Sequence, residues 1–191
     1  VAGDGSIVLS AGYNVTNGAI NATPVNGTAA NITINDIIFR SDVTAHASGD
    51  LLARPLQDIP PPPPPTSVPP PNPAGRLLAL GNAIFTGDTS ATLRVDTGHQ
   101  ASVLGNLTVR SGGTATTPGN AAIILDGGLL GVQGSTLIEA PSFYGTATGD
   151  TQGGSASLTV SNGGQMIANG GLDVSADAYG GIDAAGKASG D

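Results

Sequence analysis

The chain has 191 residues with 14 Asp and Glu against six Lys and Arg, for a net charge of −8. Nucleic acid and anionic lipid are poor partners for it, because both select clustered Lys and Arg. It has no Cys, 30 Gly, 3% aromatic and only 10% charged residues, which excludes disulfides and thiolate metal sites and argues against a core built on aromatic rings. Thirteen of the 14 acids are Asp, Glu139 being the exception. Asp and Gly favour turns, whereas Glu and Lys favour helices, so almost no helix is expected. No stretch approaches 18 apolar residues, so no membrane-spanning helix is expected either. The start carries no charged, apolar leader, so the chain reads as mature, as a fragment or as cytosolic.

Residues 1–54 read as short strands between turns. Ile7 and Leu9 are followed 25 residues on by Ile32 and Ile34. Each pair alternates, which sends both side chains to one face. Val15, Ile20 and Val25 mark further segments, followed by Ile37 to Phe39, Val43, and Leu51 with Leu52. Two or so turns of a coil are expected here.

Residues 55–75 are different in kind. Eleven of the 20 positions from 55 to 74 are proline, including the unbroken run 60–65. Proline lacks the N–H that an inner strand donates, so this stretch is not a ladder strand. At roughly 3.1 Å per residue in polyproline II, the run spans about 19 Å. It reads as an extruded loop or a spacer between two halves, with a docking site for an aromatic-lined groove as the alternative.

Residues 76–191 resume the strand rhythm. Strands are expected at 83–85, 93–95, 107–109, 123–125, 129–132, 137–138, 143–144, 158–160, 166–168 and 172–174, with Gly-rich corners between them. A rung of 20–25 residues would give about five rungs, or about 24 Å of rod at the usual strand spacing. An antiparallel sandwich is the rival, and Asp126-Gly127 is its one candidate hairpin turn.

The most informative feature is a repeat. Residues 89–111 read TSATLRVDTGHQASVLGNLTVRS and residues 154–176 read GSASLTVSNGGQMIANGGLDVSA. Leu93, Val95, Gly98, Gln100, Gly105, Leu107 and Val109 align with Leu158, Val160, Gly163, Gln165, Gly170, Leu172 and Val174. A Leu-x-Val strand recurring at fixed spacing signals a solenoid, whose units bury their apolar faces only by stacking.

Two segments extend this. Residues 5–12 (GSIVLSAG) with 14–17 (NVTN) and 20–22 (INA) resemble the repeats of the filamentous haemagglutinin family of secreted bacterial adhesins. Residues 158–164 (LTVSNGG) through 172–174 (LDV) resemble the passenger domains of bacterial autotransporters. The resemblance implies an all-β fold, a right-handed parallel β-helix (β-solenoid) at the outer bacterial surface, acting as an adhesin or biofilm factor.

The inventory of reactive groups is thin. Asp36, Asp42, Asp50, Asp173, Asp177 and Asp183 are the candidate carboxylates, but their spacings match no ligand pattern, and Asp is the natural turn residue. Gly180-Gly181-Ile182-Asp183 only echoes a Ca²⁺-binding repeat. His46 and His99 read as surface residues. Arg94 and Arg110 fall on outward strand positions, where they are placed to brace one face, pair with Asp96 or meet a carbohydrate. Asn14, Asn21, Asn26, Asn31 and Asn106 head Asn-x-Ser/Thr triplets and read as fillers of strand edges and corners. No Gly-x-Ser-x-Gly elbow occurs.

The expectation is therefore a structural or adhesive extracellular module without catalysis, metal or cofactor, with rungs at 1–54 and 76–191 flanking the proline-rich 55–75. Its open ends are expected to stack head to tail on another copy or to continue in a longer chain, with a host or glycan ligand. The alternative is a carbohydrate-active enzyme or lectin on the same scaffold. It would need paired carboxylates about 5–9.5 Å apart or rings for sugar stacking from among Tyr13, Tyr144, Tyr179, Phe39, Phe85 and Phe143.

Overall fold

The computed structural model describes residues 7–9, 14–15, 18–23, 28–56, 76–113, 118–140 and 154–176. Among these the fold is all-β, with no helix. The strands run in triplets, one triplet to a rung. Rung 1 holds β1 (Ile7–Leu9), β2 (Asn14–Val15) and β3 (Gly18–Ala22). Rung 2 holds β4 (Ile32–Asn35), β5 (Ile38–Phe39) and β6 (Val43–Ala47). Rung 3 holds β7 (Asp50–Arg54), β8 (Arg76–Ala79) and β9 (Ala83–Gly87). Rung 4 is β10 (Ser90–Asp96), β11 (Gln100–Val103) and β12 (Leu107–Ser111). Rung 5 is β13 (Asn120–Asp126), β14 (Leu129–Val132) and β15 (Thr136–Glu139). Rung 6 is β16 (Ser155–Ser161), β17 (Gln165–Ala168) and β18 (Leu172–Ser175).

Every third strand pairs in parallel, which gives three six-stranded sheets: β1-β4-β7-β10-β13-β16 (sheet 1), β2-β5-β8-β11-β14-β17 (sheet 2) and β3-β6-β9-β12-β15-β18 (sheet 3). This is a three-sided parallel coil. β7 precedes the proline-rich stretch and β8 follows it, yet both belong to rung 3. Sheets 1 and 2 therefore run unbroken from rung 2 to rung 4. Residues 57–75 themselves lie outside the described residues, as does the strand expected at 143–144.

The expected register holds in detail. Ile7 pairs with Ile32 and Leu9 with Ile34. The two copies of the sequence repeat are rungs 4 and 6, and the diverged rung 5 lies between them. Leu93, Ile123 and Leu158 form one column, and Val95, Leu125 and Val160 the next. Leu107, Thr136 and Leu172, then Val109, Ile138 and Val174, do the same in sheet 3. A third strand, β11, lies between the two Leu-x-Val strands of the repeat.

Against the five or so rungs expected in 76–191, the described residues show fewer. The described residues give β8 and β9 and then three full rungs, because the sequence lengthens between β12 and β13 and again between β15 and β16. Asp126-Gly127 is a corner and not a hairpin turn, since β13 and β14 lie in different sheets. There Gly127 adopts φ 77°, a left-handed conformation that costs glycine little.

Inward positions carry the core. In β10 and β13 alternate residues are buried along seven positions, as a strand with one face inward requires. The two buried rings are balanced by alanines. Phe39 of sheet 2 pairs with Ala79 one rung up, while Ala45 of sheet 3 pairs with Phe85. The bulk thus moves from one sheet to another between rungs 2 and 3 at nearly constant cross-section. Close-packed interiors tolerate such volume-conserving exchanges best.

Candidate functional site: corners, faces and ends of the coil

The corner between sheets 2 and 3 is held by a ladder of side chains. The Asn82 N–H donates to Asp42 Oδ1 (2.7 Å), the Asn106 N–H to Asn82 Oδ1 (2.8 Å) and the Ser135 N–H to Asn106 Oδ1 (2.8 Å). Each acceptor thus bonds the backbone one rung up, where the chain turns and strand pairing lapses. The preceding glycine of the upper rung makes room. A Cβ on Gly105 would stand 2.6 Å from Asn82 Oδ1. The signal was present in the sequence as Gly81-Asn82 and Gly105-Asn106. The ladder stops at Ser135, whose side chain lacks the amide oxygen of Asn82 and Asn106; above it stands Gly171, where a Cβ would meet open space. A shallow hollow opens there, lined in part by Leu107, Leu137, Leu172 and Asp173.

Of the acids expected to form turns, Asp36 and Asp42 lie at corners, whereas Asp50 and Asp173 lie in strands β7 and β18. Asp36, buried and with φ 52°, accepts the Leu56 N–H through Oδ1 (2.8 Å). Asp50 accepts the Ser90 hydroxyl (2.7 Å) and donates its own N–H to Asn31 Oδ1 (2.8 Å). Asp173 is exposed on β18. Asp177 and Asp183 lie outside the described residues, as do Asn26, Tyr13, Phe143, Tyr144 and Tyr179. Phe39 and Phe85 are core residues, 1% exposed, and offer no platform for a sugar ring.

Arg94 does meet Asp96, with Nη2 2.7 Å from Oδ1, and it also reaches Asp126 Oδ2 at 3.3 Å. Asp126 is the hub of this outward cluster on sheet 1. Its Oδ1 accepts the Asn162 side-chain amide (2.5 Å) and the Ser161 hydroxyl (3.2 Å), and its carbonyl accepts the Thr97 hydroxyl (3.0 Å). Donors from rungs 4 and 6 thus converge on one rung 5 residue. The Asn162 and Ser161 bonds, aided by the Arg94 charge, hold the Asp126 carboxyl below its ordinary pKa. The bond to Asp96, with the nearby carboxylate charges, raises that of Arg94. Arg110 pairs with its register neighbour Glu139 at 3.2 Å.

His46 lies half-exposed, 3.7 Å from Asp88. His99 departs from the expected surface position. It sits in a corner, partly exposed, with its ring nitrogens shielded from solvent, and its carbonyl accepts the Leu129 N–H. Among the described residues no group of three His, Asp or Glu stands close enough to hold a metal ion.

Among the described residues the coil ends in an open face. In rung 6 Val160 is 50%, Leu172 47% and Val174 43% exposed, whereas Leu125, Thr136 and Ile138 directly below are at 0–1%. Compared with known proteins, the chain matches no family model, no curated protein and no solved structure.

Proposed function

We propose that this chain is a structural and adhesive module of an extracellular fibre or adhesin at a bacterial surface, assembled by stacking rungs and without catalysis. The observation that carries the reading is the open sixth rung. Its three strands lack upper neighbours among the described residues, and its inward columns present Val160, Leu172 and Val174 to solvent. Exposed parallel edges with an apolar lining are templates for another rung. A head-to-tail contact between copies is heterologous and repeats without closing, which makes a filament.

In this reading the coil is right-handed, in keeping with the handedness of parallel crossover connections. The proline-rich stretch leaves it as an extruded loop at the corner between sheets 1 and 2 of rung 3. The outward side chains are ligand-facing and the corners are structural. Electron microscopy of the purified chain across a concentration series tests the assembly. Filaments about one coil wide are expected; a monodisperse 18.5 kDa species at every concentration would sink the reading.

A further inference from the structure

The three outward faces of the coil are chemically unequal. The strands of sheet 2 contain no Asp or Glu, although the chain carries a net charge of −8. Their middle outward column is mostly apolar, while the column beside it also carries Arg76, Gln100 and Gln165. Ile38 and Leu78 are register neighbours, as are Gly131 and Ile167, with Ser102 between Leu78 and Gly131. Leu129 lies in the adjoining outward column. At the strand ends Leu80 and Leu104 are 42% and 41% exposed, and Ile167 is 54% exposed.

Two exposed arginines, Arg40 and Arg76, flank this face, and no ion pair joins either to an acid of the described residues. By contrast, Arg94 and Arg110 on sheets 1 and 3 are both paired. Five rungs at about 4.8 Å, three outward columns wide, make a patch of roughly 300 Å², a size that on monomers often marks an interaction site.

The complementary chemistry is on the same molecule. Sheet 3 turns out Ile84 and Leu137 among three acids, Glu139, Asp173 above Leu137 and Asp88 just beyond β9, which outnumber the basic Arg110 and His46 that pair with Glu139 and Asp88. We propose that the outward face of sheet 2 is a lateral docking surface for the outward face of sheet 3 on a second copy of this chain. Leu78, Leu80 and Leu104 meet Ile84 and Leu137, while Arg40 and Arg76 meet the acids. Two copies with like net charge repel in other orientations, so the charge pattern selects this one. The patch is smaller than the about 800 Å² per partner of a stable pair, which makes each contact weak and additive along a rod. This contact concerns the flanks of the coil and does not depend on stacking at its ends.

Disulfide trapping reads such a contact directly, because the chain has no cysteine of its own. Ser102→Cys reports on sheet 2, Thr108→Cys on sheet 3 and Thr92→Cys on sheet 1; all three positions face outward. Under mild oxidation, Ser102→Cys mixed with Thr108→Cys is expected to give the crosslinked dimer in about 5-fold higher yield than Ser102→Cys mixed with Thr92→Cys, the factor that 1 kcal/mol of preference produces. Adding Arg40→Glu and Arg76→Glu to the Ser102→Cys chain is expected to remove that excess, with an unchanged circular dichroism spectrum confirming the fold. Equal yields from the two mixtures, or an excess that survives both charge reversals, would overturn the proposal. So would resistance of the Ser102→Cys thiol to a thiol reagent in the dilute monomer, which would assign the face to cover from its own chain. Filaments without the lateral crosslink would remove this contact and leave end stacking intact.

Discussion

Rungs 4 and 6 share one Leu-x-Val pattern in two environments. Val95, Leu107 and Val109 are buried completely, whereas their counterparts Val160, Leu172 and Val174 are 50%, 47% and 43% exposed. Strand geometry, corner positions and register are shared. The difference comes from what lies above: rung 4 has rung 5 on it, and rung 6 has no described rung on it. In a stacked coil an apolar side chain gains burial from its neighbours along the column more than from its own rung. The motif therefore specifies which way a residue points, and its stacking position specifies what that residue contributes.

The sharpest test exchanges one residue for another at equivalent sites. Leu107→Ala is expected to destabilise the chain by about 2–5 kcal/mol, the range for a filled core site. Leu172→Ala, at a site already half in water, is expected to cost less than about 1 kcal/mol. Urea midpoints of the two variants check this, and equal losses would mean that the sixth rung is covered in solution.

A second test falls on the rung between the copies. Thr136 occupies the column of Leu107 and Leu172, buried to 1%, and its hydroxyl finds no hydrogen-bond partner among the described residues. Thr136→Val keeps the shape and removes the unmet donor, so a gain of about 1–2 kcal/mol is expected in the same assay.

The corner ladder offers a smaller effect. Ser135→Asn would reach the Gly171 N–H, as Asn82 and Asn106 reach the rungs above them, and would tie rung 6 to rung 5. A gain of about 0.5–1 kcal/mol is expected, the usual net worth of one hydrogen bond. Slower hydrogen exchange confined to β17 and β18 would locate it.

The last prediction concerns pH. The Asp126 carboxyl is held below its ordinary pKa chiefly by Asn162 and Ser161 of rung 6. A carboxyl depressed in the folded state contributes stability that is fully present above the unfolded pKa of about 3.9 and is lost as pH falls toward the folded value. Protection of the β16 amides, relative to the intrinsic exchange rate at each pH, should therefore fall below about pH 4, before that of β10 does. Asp126→Asn should flatten that dependence, and an unchanged profile would show that the cluster does not hold rung 6.

Much of the coil was legible because alternation is a local property. Ile32 and Ile34, Leu93 and Val95, and Leu107 and Val109 announce inward positions from sequence alone, and the structure buries them all. Two strands were not foreseen, β8 and β11. Their four-residue runs each pair one aliphatic inward residue, Leu77 or Val103, with an inward alanine, Ala79 or Ala101, among outward Arg76, Gln100 and Ser102. Two inward positions are too short a run for alternation to stand out. The Gly-Asn corner pairs were visible, but their role was not. An asparagine that bonds a backbone 24 residues away, as Asn82 bonds Asn106, looks like any turn residue until the rungs are stacked.

The sequence by itself determined most of the strands and the recurrence of one rung pattern, because each follows from side-chain alternation and backbone preference within a few residues. Tertiary structure alone decided that three strands make a rung, that the two copies lie two rungs apart, and that identical Leu-x-Val motifs are core in one place and surface in the other. It also decided which flank is free of acids. Those properties depend on which residues come to lie above and beside one another, and register across 19 to 40 intervening positions is settled only when the coil closes on itself.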